Sequence, residues 1–323
     1  MENFIPGIEK KIENLLKKLN LTPQVPPDVF ISQTEGKKHR YFSLCNDGRG
    51  RKVIFYARLH NNPDARQKMV REISFLNEIK RKSLVISRYL PHVYSWKREK
   101  DWEWFLREYF PVSPLGTNEQ LNQEITPKDT ALLAQSASDI KNTLLSELEG
   151  VPLARFDTGD YLSLEDFIPR LLERGIMAEK EAGAIVSFFK ANKSLLEKEN
   201  RYFTHGDFNL GNLIVSGGNL KIIDWESIQI NNQAADMAYL FTHLWQASQL
   251  VRKDLIENYL RLLSERERDA FKKLFLMVVF DLAADGFEAQ PKEIKSSLLK
   301  KRKEFFEKLF LGPILGFEKL IKI

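Results

Sequence analysis

The sequence predicts an α+β protein in two lobes, a small β-rich lobe followed by a larger helical one. Three observations predict it. Short apolar runs separated by polar turns fill the first hundred or so residues. A stretch rich in Pro, Gly, Asn and Gln, from Pro111 to Pro127, marks a linker. Beyond it, helical periodicity dominates and is interrupted once, by a β-rich patch from about Leu213 to Asp224.

The elements follow in chain order. Ile5, Ile8, Ile12, Leu15 and Leu19 recur at helical spacing, so the chain opens with an amphipathic helix. Asn20 to Pro27, with three prolines, ends it. Val29–Ser32, Tyr41–Leu44 and Val53–Leu59 read as strands, separated by polar turns. Asp64 caps a helix running to about Arg81, with Met69, Ile73, Leu76 and Ile79 on its buried stripe. Val93–Trp96 and Trp102–Tyr109 read as two more strands. After the linker, Thr126 and Asp129 form a capping box with Pro127 at the first helical position, and Leu132, Leu133, Ile140, Leu144 and Leu148 lie on the helix it starts. Ser163 and Asp166 form a second such box. The expected organisation is a helix in residues 1–24 packed on the first lobe, a β-rich lobe in 25–110, and a helical lobe in 111–323.

Composition bounds the function. At 323 residues, with 43% hydrophobic and 29% charged residues, the chain can bury a sizeable core. The net charge of +5 suits an anionic ligand such as a nucleotide. Neither zinc-finger spacing nor a long basic block points to nucleic acid. The single cysteine, Cys45, excludes an internal disulfide and fits a reducing compartment. The charged start, Met1–Lys18, does not read as a secretory signal, and the most apolar run, Leu274–Phe280, is far short of the ~18 residues of a membrane span. The expectation is a soluble, cytoplasmic protein.

The chemistry concentrates in one segment. His205-Gly206-Asp207 is followed by Asn212, a strand at Leu213–Val215, a tight turn at Ser216–Asn219 and a returning strand at Leu220–Ile223 that ends at Asp224. Such a hairpin brings Asp224 back towards Asn212. Asn212 and Asp224 offer the hard oxygen ligands that Mg²⁺ prefers, completed by phosphates and water. Asp207 is left to accept a proton from an attacking hydroxyl. Phosphoryl transfer needs these parts: a metal to neutralise phosphate charge and a carboxylate to orient the nucleophile.

HGDFNLGN followed by IIDWE resembles the aminoglycoside phosphotransferase and choline kinase family, in both motifs and in their separation. The resemblance implies a protein-kinase-like bilobal fold, Asp207 as catalytic base, Asn212 and Asp224 as Mg²⁺ ligands, and His205 as a brace for the loop. Asp236 resembles the acidic residue that opens a helix and supports the site. The implied donor is ATP, with GTP as the alternative, and the implied acceptor is a hydroxyl of an aminoglycoside-, choline- or sugar-like molecule.

The first lobe is consistent with this resemblance. A kinase-like small lobe needs a cation on its third strand and a carboxylate on its helix. Arg58 and Glu72 occupy those places, and Glu72, set in an apolar stripe, calls for a buried positive partner. Gln33–Arg40 would cover the phosphates. The run from Trp104 to Phe110 resembles the family's hinge, where adenine would bond to backbone near Glu108 and Phe110.

Two features bear on substrate and surface. Asp281, Asp285 and Glu288 share one helix face, which is either a lining for a cationic acceptor or a solvated face paired with lysines. From Lys292 to Lys308, basic residues interleave with apolar ones, and the preferred reading is a terminal helix packing on its lobe rather than on a membrane. The rival readings of the whole chain are an inactive nucleotide-binding scaffold and a kinase of lipid or saccharide acceptors. The complete base and metal set argues against the first. H-G-D in place of H-R-D, without D-F-G or A-P-E, argues against a protein kinase.

Overall fold

The computed structural model describes residues 7–24, 40–59, 63–82, 84–100, 102–117, 120–158, 164–288 and 297–323. The expected strand at Val29–Ser32, the covering loop up to residue 39 and the cap at Ser163 lie outside them. The chain divides into two compact units. One is Met1–Val112 with Leu148–Pro152 and Ile222–Ser227; the other is Ser113–Glu147, Leu153–Lys221 and Ile228–Ile323.

The first unit is built on an antiparallel sheet. After helix α1 (Ile8–Lys18) come β1 (Thr22–Pro23), β2 (Arg40–Asn46), β3 (Lys52–Leu59), helix α2 (Pro63–Lys82), β4 (Val93–Arg98) and β5 (Trp102–Glu108). The strand order is β1-β2-β3-β5-β4, every neighbouring pair antiparallel. Strand alternation puts Val53, Phe55 and Ala57 on one face of β3 and Ile54, Tyr56 and Arg58 on the other. The first face is covered by α1, whose Ile8, Ile12 and Leu16 are buried with Tyr41, Phe55, Trp102 and Trp104. Phe55 and Trp104 stack there at 5.9 Å. The second face is covered by α2, where Met69 and Ile73 pack on Phe105, Tyr56 and Val93.

The second unit is mostly helical. Helix α3 (Pro127–Lys141) starts at the capping box read in the sequence, with the Asp129 N–H donating to the Thr126 hydroxyl and the Thr126 N–H to the Asp129 carboxylate. It stops at Lys141, not at Leu148; Asn142 caps it, Leu144 is exposed, and Leu148 is buried from a separate 3₁₀ turn. Strand β6 (Ala154–Arg155) and helices α4 (Leu164–Glu173) and α5 (Glu179–Glu199) lead to β7 (Tyr202–Thr204), then β8 (Leu213–Ser216), β9 (Asn219–Ile222) and β10 (Gln229–Asn231). β8 and β9 form the predicted hairpin, whose two turn glycines, Gly217 and Gly218, both take positive φ, as a tight hairpin loop of this kind needs. A second sheet, β6-β10-β7, escaped the sequence reading because its strands are two or three residues long.

Helices α6 (Ala235–His243), α7 (Gln249–Arg261), α8 (Glu265–Glu288), α9 (Ser297–Phe310), α10 (Gly312–Leu315) and α11 (Phe317–Leu320) complete this unit. The apolar run Leu274–Phe280 lies inside α8 and is buried throughout. The apolar stripe of α9, with Phe305, Phe306, Leu309 and Phe310, is buried too. Among the described residues, no helix is long and apolar enough to cross a membrane.

Candidate active site

The loop carrying the predicted base is set by backbone hydrogen bonds. β7 delivers the chain into His205-Gly206-Asp207. Asp236, in the first turn of α6, accepts the His205 N–H at 2.8 Å and the Gly206 N–H at 3.0 Å, one on each carboxylate oxygen. Gly206 turns the chain there at φ +77°, a conformation that favours glycine. Burial pushes the Asp236 carboxyl up to about 6, against the two N–H donors that favour its ionised form. His205 is fully buried, and its Nδ1 accepts the Asp207 N–H at 3.3 Å.

Two amide groups hold the Asp207 side chain. Asn209 Nδ2 donates to Oδ1 at 2.7 Å and Asn212 Nδ2 to Oδ2 at 2.9 Å; Asn212 Nδ2 also reaches the Asp207 carbonyl at 2.9 Å. Asn209 is itself pinned by the Gly211 N–H at 2.8 Å. The carboxylate is half-exposed and held from both sides. With its nitrogen committed to Asp207, Asn212 has its amide oxygen as the side-chain acceptor.

In the other unit, residues 222–227 lie on α2. Trp225 stacks on Phe75 with ring centroids 4.7 Å apart, and its N–H donates to Glu72 at 3.3 Å. Arg71 donates to the Glu226 carbonyl and to the Pro152 carbonyl, each at 3.1 Å. Glu72, Asp224 and Glu226 can each bring one carboxylate oxygen within 4.8 Å of the others. Asp224 takes φ +63°, an uncommon value for a residue with a side chain. Burial, then the charges of Asp224 and Glu226, push Glu72 up to about 8, opposed by Arg107 and Arg58.

The sequence pairs Arg58 with Glu72, and the structure gives it a different carboxylate. Arg58 is fully buried and forms its ion pair with Glu226, while its Nε and Nη2 also donate to the Tyr56 hydroxyl at 3.1 and 2.7 Å. Glu72 remains an electrostatic neighbour of Arg58 without a direct bond. At the end of β5, the Glu108 N–H donates to the His92 carbonyl at 2.8 Å and its carboxylate accepts the His92 N–H at 3.1 Å. The Phe110 N–H and carbonyl make no backbone hydrogen bond among the described residues.

Of the predicted residues, Asp207 and Asn212 are in direct contact in one unit; Arg58, Glu72, Asp224, Glu108 and Phe110 belong to the other. Sequence reading missed Asn209, Glu226, Arg71 and Arg107. Asn209 and Glu226 stand inside the two motifs, where their polarity was a usable signal; Arg71 and Arg107 gave none. The three carboxylates gathered in this unit, Glu72, Asp224 and Glu226, are hard oxygen ligands of the kind Mg²⁺ takes.

A family model, the phosphotransferase enzyme family, matches residues 43–272. No curated protein sequence matches the chain. Among solved structures, the GDP complex of wild-type aminoglycoside 2'-phosphotransferase-IIIa superposes with TM-score 0.59 at 14% identity, over 93% of this chain and 98% of that one. The streptomycin–ATP ternary complex of APH(2")-IIa gives TM-score 0.53 at 13% identity, covering 96% and 99%. The apoenzyme of the macrolide 2'-phosphotransferase MphH from Brachybacterium faecium gives 0.53 at 12%, covering 93% and 98%. At these identities the likeness is one of fold: an N-terminal antiparallel sheet and a larger helical C-terminal part.

Proposed function

The chain belongs to the phosphotransferase enzyme family, and on that premise we propose that it moves the γ-phosphate of ATP, with Mg²⁺, to a hydroxyl of a small molecule. The observation that carries this is the Asp207 carboxylate, gripped by Asn209 and Asn212 on a loop that Asp236 ties down.

In this reading Asp207 accepts the acceptor's hydroxyl proton as that oxygen attacks the γ-phosphorus and the bond to the β-phosphate oxygen breaks. Asn212 and Asp224 would hold Mg²⁺, which supplies charge neutralisation of the phosphates. The backbone at Phe110 and Glu108 would take the nucleotide base. Arg58 and Glu72 act from behind: Arg58 holds Glu226, and Glu72 holds the Trp225 N–H, so both fix the segment carrying Asp224. Residues 25–110 would then be the nucleotide lobe, backed by the helix in 1–24, and 111–323 the lobe of the base and the acceptor.

The acceptor class follows the family. Relatives of the same fold are named for aminoglycosides and for macrolides, and both are polyhydroxylated. The test is ADP release from Mg·ATP with a panel of aminoglycosides, macrolides, amino alcohols and sugars. Turnover with at least one hydroxylated acceptor is expected. Failure of the protein to bind Mg·ATP at millimolar nucleotide would overturn the reading.

A further inference from the structure

Phosphoryl transfer needs a protein cation on the nucleotide phosphates, and the residue that the sequence offers for this, Arg58, is sealed. It has no exposed surface, and its guanidinium is engaged by Glu226 and the Tyr56 hydroxyl. Freeing it would strand Glu226, a buried carboxylate, without its counter-charge.

Arg107 has the opposite character. It sits on β5, directly before Glu108, and pairs across the ladder with Ile54 of β3. By strand alternation its side chain leaves the sheet on the same face as Tyr56 and Arg58, the face that α2 covers. Its charged neighbours, in order of strength, are Glu72, Asp224, Tyr56 and Glu108. Among the described residues it makes neither a side-chain hydrogen bond nor an ion pair, and it is partly exposed. Arg58 is thus closed on Glu226, whereas Arg107 acts on Glu72 and Asp224 through its charge alone.

A cation partly withdrawn from water and left without a direct partner is unfavourable unless an anion completes it. Arg is suited to that role: its planar fork matches phosphate oxygens and stays charged when desolvated.

We propose that Arg107, and not Arg58, contacts the nucleotide phosphates. The inference rests on the phosphotransferase reading above. Arg58 is then a positioning residue for the segment that carries Asp224.

The test compares the full-length protein with its Arg107→Met and Arg107→Lys variants, using calorimetric titration with Mg·AMP-PNP, ADP and adenosine. Met keeps the aliphatic stem and removes the charge. Loss of a charge-assisted contact predicts at least ~10-fold weaker AMP-PNP binding for Arg107→Met, with partial recovery in Arg107→Lys. Adenosine affinity stays the same in all three, which a loss of shape or folding would not allow. Thermal midpoints, measured alongside, show that each variant is folded at the titration temperature. AMP-PNP binding by Arg107→Met within twofold of wild type overturns the inference, as does an equal loss for adenosine; the phosphotransferase reading survives both. Absence of nucleotide binding by the wild type overturns the two together.

Discussion

Arg58 and Glu226, 168 residues apart in the sequence, form a buried ion pair within one compact unit. The pair joins β3 to the segment that follows the second motif. Arg71, Glu72 and Phe75 of α2 hold the same segment through its backbone and through Trp225. The acidic residue two places beyond Asp224 is thus a structural counter-charge, and the pair tells how Asp224 is kept in its uncommon backbone conformation.

Removing one partner should be costly. Glu226→Ala removes the carboxylate that pairs with the buried Arg58 guanidinium, and we expect a loss of about 3–5 kcal/mol in chemical denaturation. The double variant Arg58→Met/Glu226→Leu, which removes both charges, should recover most of it. A single variant within about 1 kcal/mol of wild type would show that the pair is not a stabilising anchor.

Asp207→Asn retains shape but accepts no proton. A general base contributes ~10²–10⁴-fold, so kcat with the best acceptor should fall by at least ~100-fold. Nucleotide affinity should change little, since the bonds of Asp207 are to Asn209 and Asn212. Steady-state kinetics with parallel nucleotide titration decides the matter; normal turnover would remove Asp207 from the role of base.

Asn209→Ala tests orientation alone. It deletes the donor to Asp207 Oδ1 and the acceptor for the Gly211 N–H, while Asn212 still holds Oδ2. The expected result is a kcat lower by roughly 10-fold at similar KM, the pattern of an interaction that matters in the transition state. A rise in KM with unchanged kcat would mean that Asn209 shapes the binding of substrate instead.

A pH dependence follows from Glu267. Burial alone would raise its carboxyl, but Lys141, at 2.7 Å, and the Ser264 hydroxyl and N–H outweigh it and hold the group at about 2. A carboxyl depressed in the folded state contributes stability that is present above its ordinary range, near 4.5, and lost as pH falls towards 2. Glu267→Gln should therefore melt below wild type at pH 7, and the two curves should converge at pH 2. Parallel melting midpoints across that interval would mean that the Lys141 contact contributes nothing.

The sequence by itself determined the family and most of the framework. HGDFNLGN and IIDWE carry local information: a tight turn, a 3₁₀ turn from Leu210 to Asn212, and a hairpin with glycines where φ must be positive. Their residues find each other within a few positions, as Asp207 and Asn212 do. Apolar spacing likewise marked α1, α2 and the long strands, because each buries one face and period alone reveals it. The end of α3 and the two- and three-residue strands β6, β7 and β10 carry too little pattern to be read. The partner of Arg58 was legible only in three dimensions. From sequence, Glu72 and Glu226 are both acidic residues of a plausible register; which one closes on the guanidinium depends on where residues 222–227 dock on α2. That docking is decided by Phe75, Trp225 and Arg71, contacts between side chains 150 and more positions apart. Local chemistry is written in neighbours along the chain, whereas the pairing of buried charges is settled by packing, which no stretch of sequence contains alone.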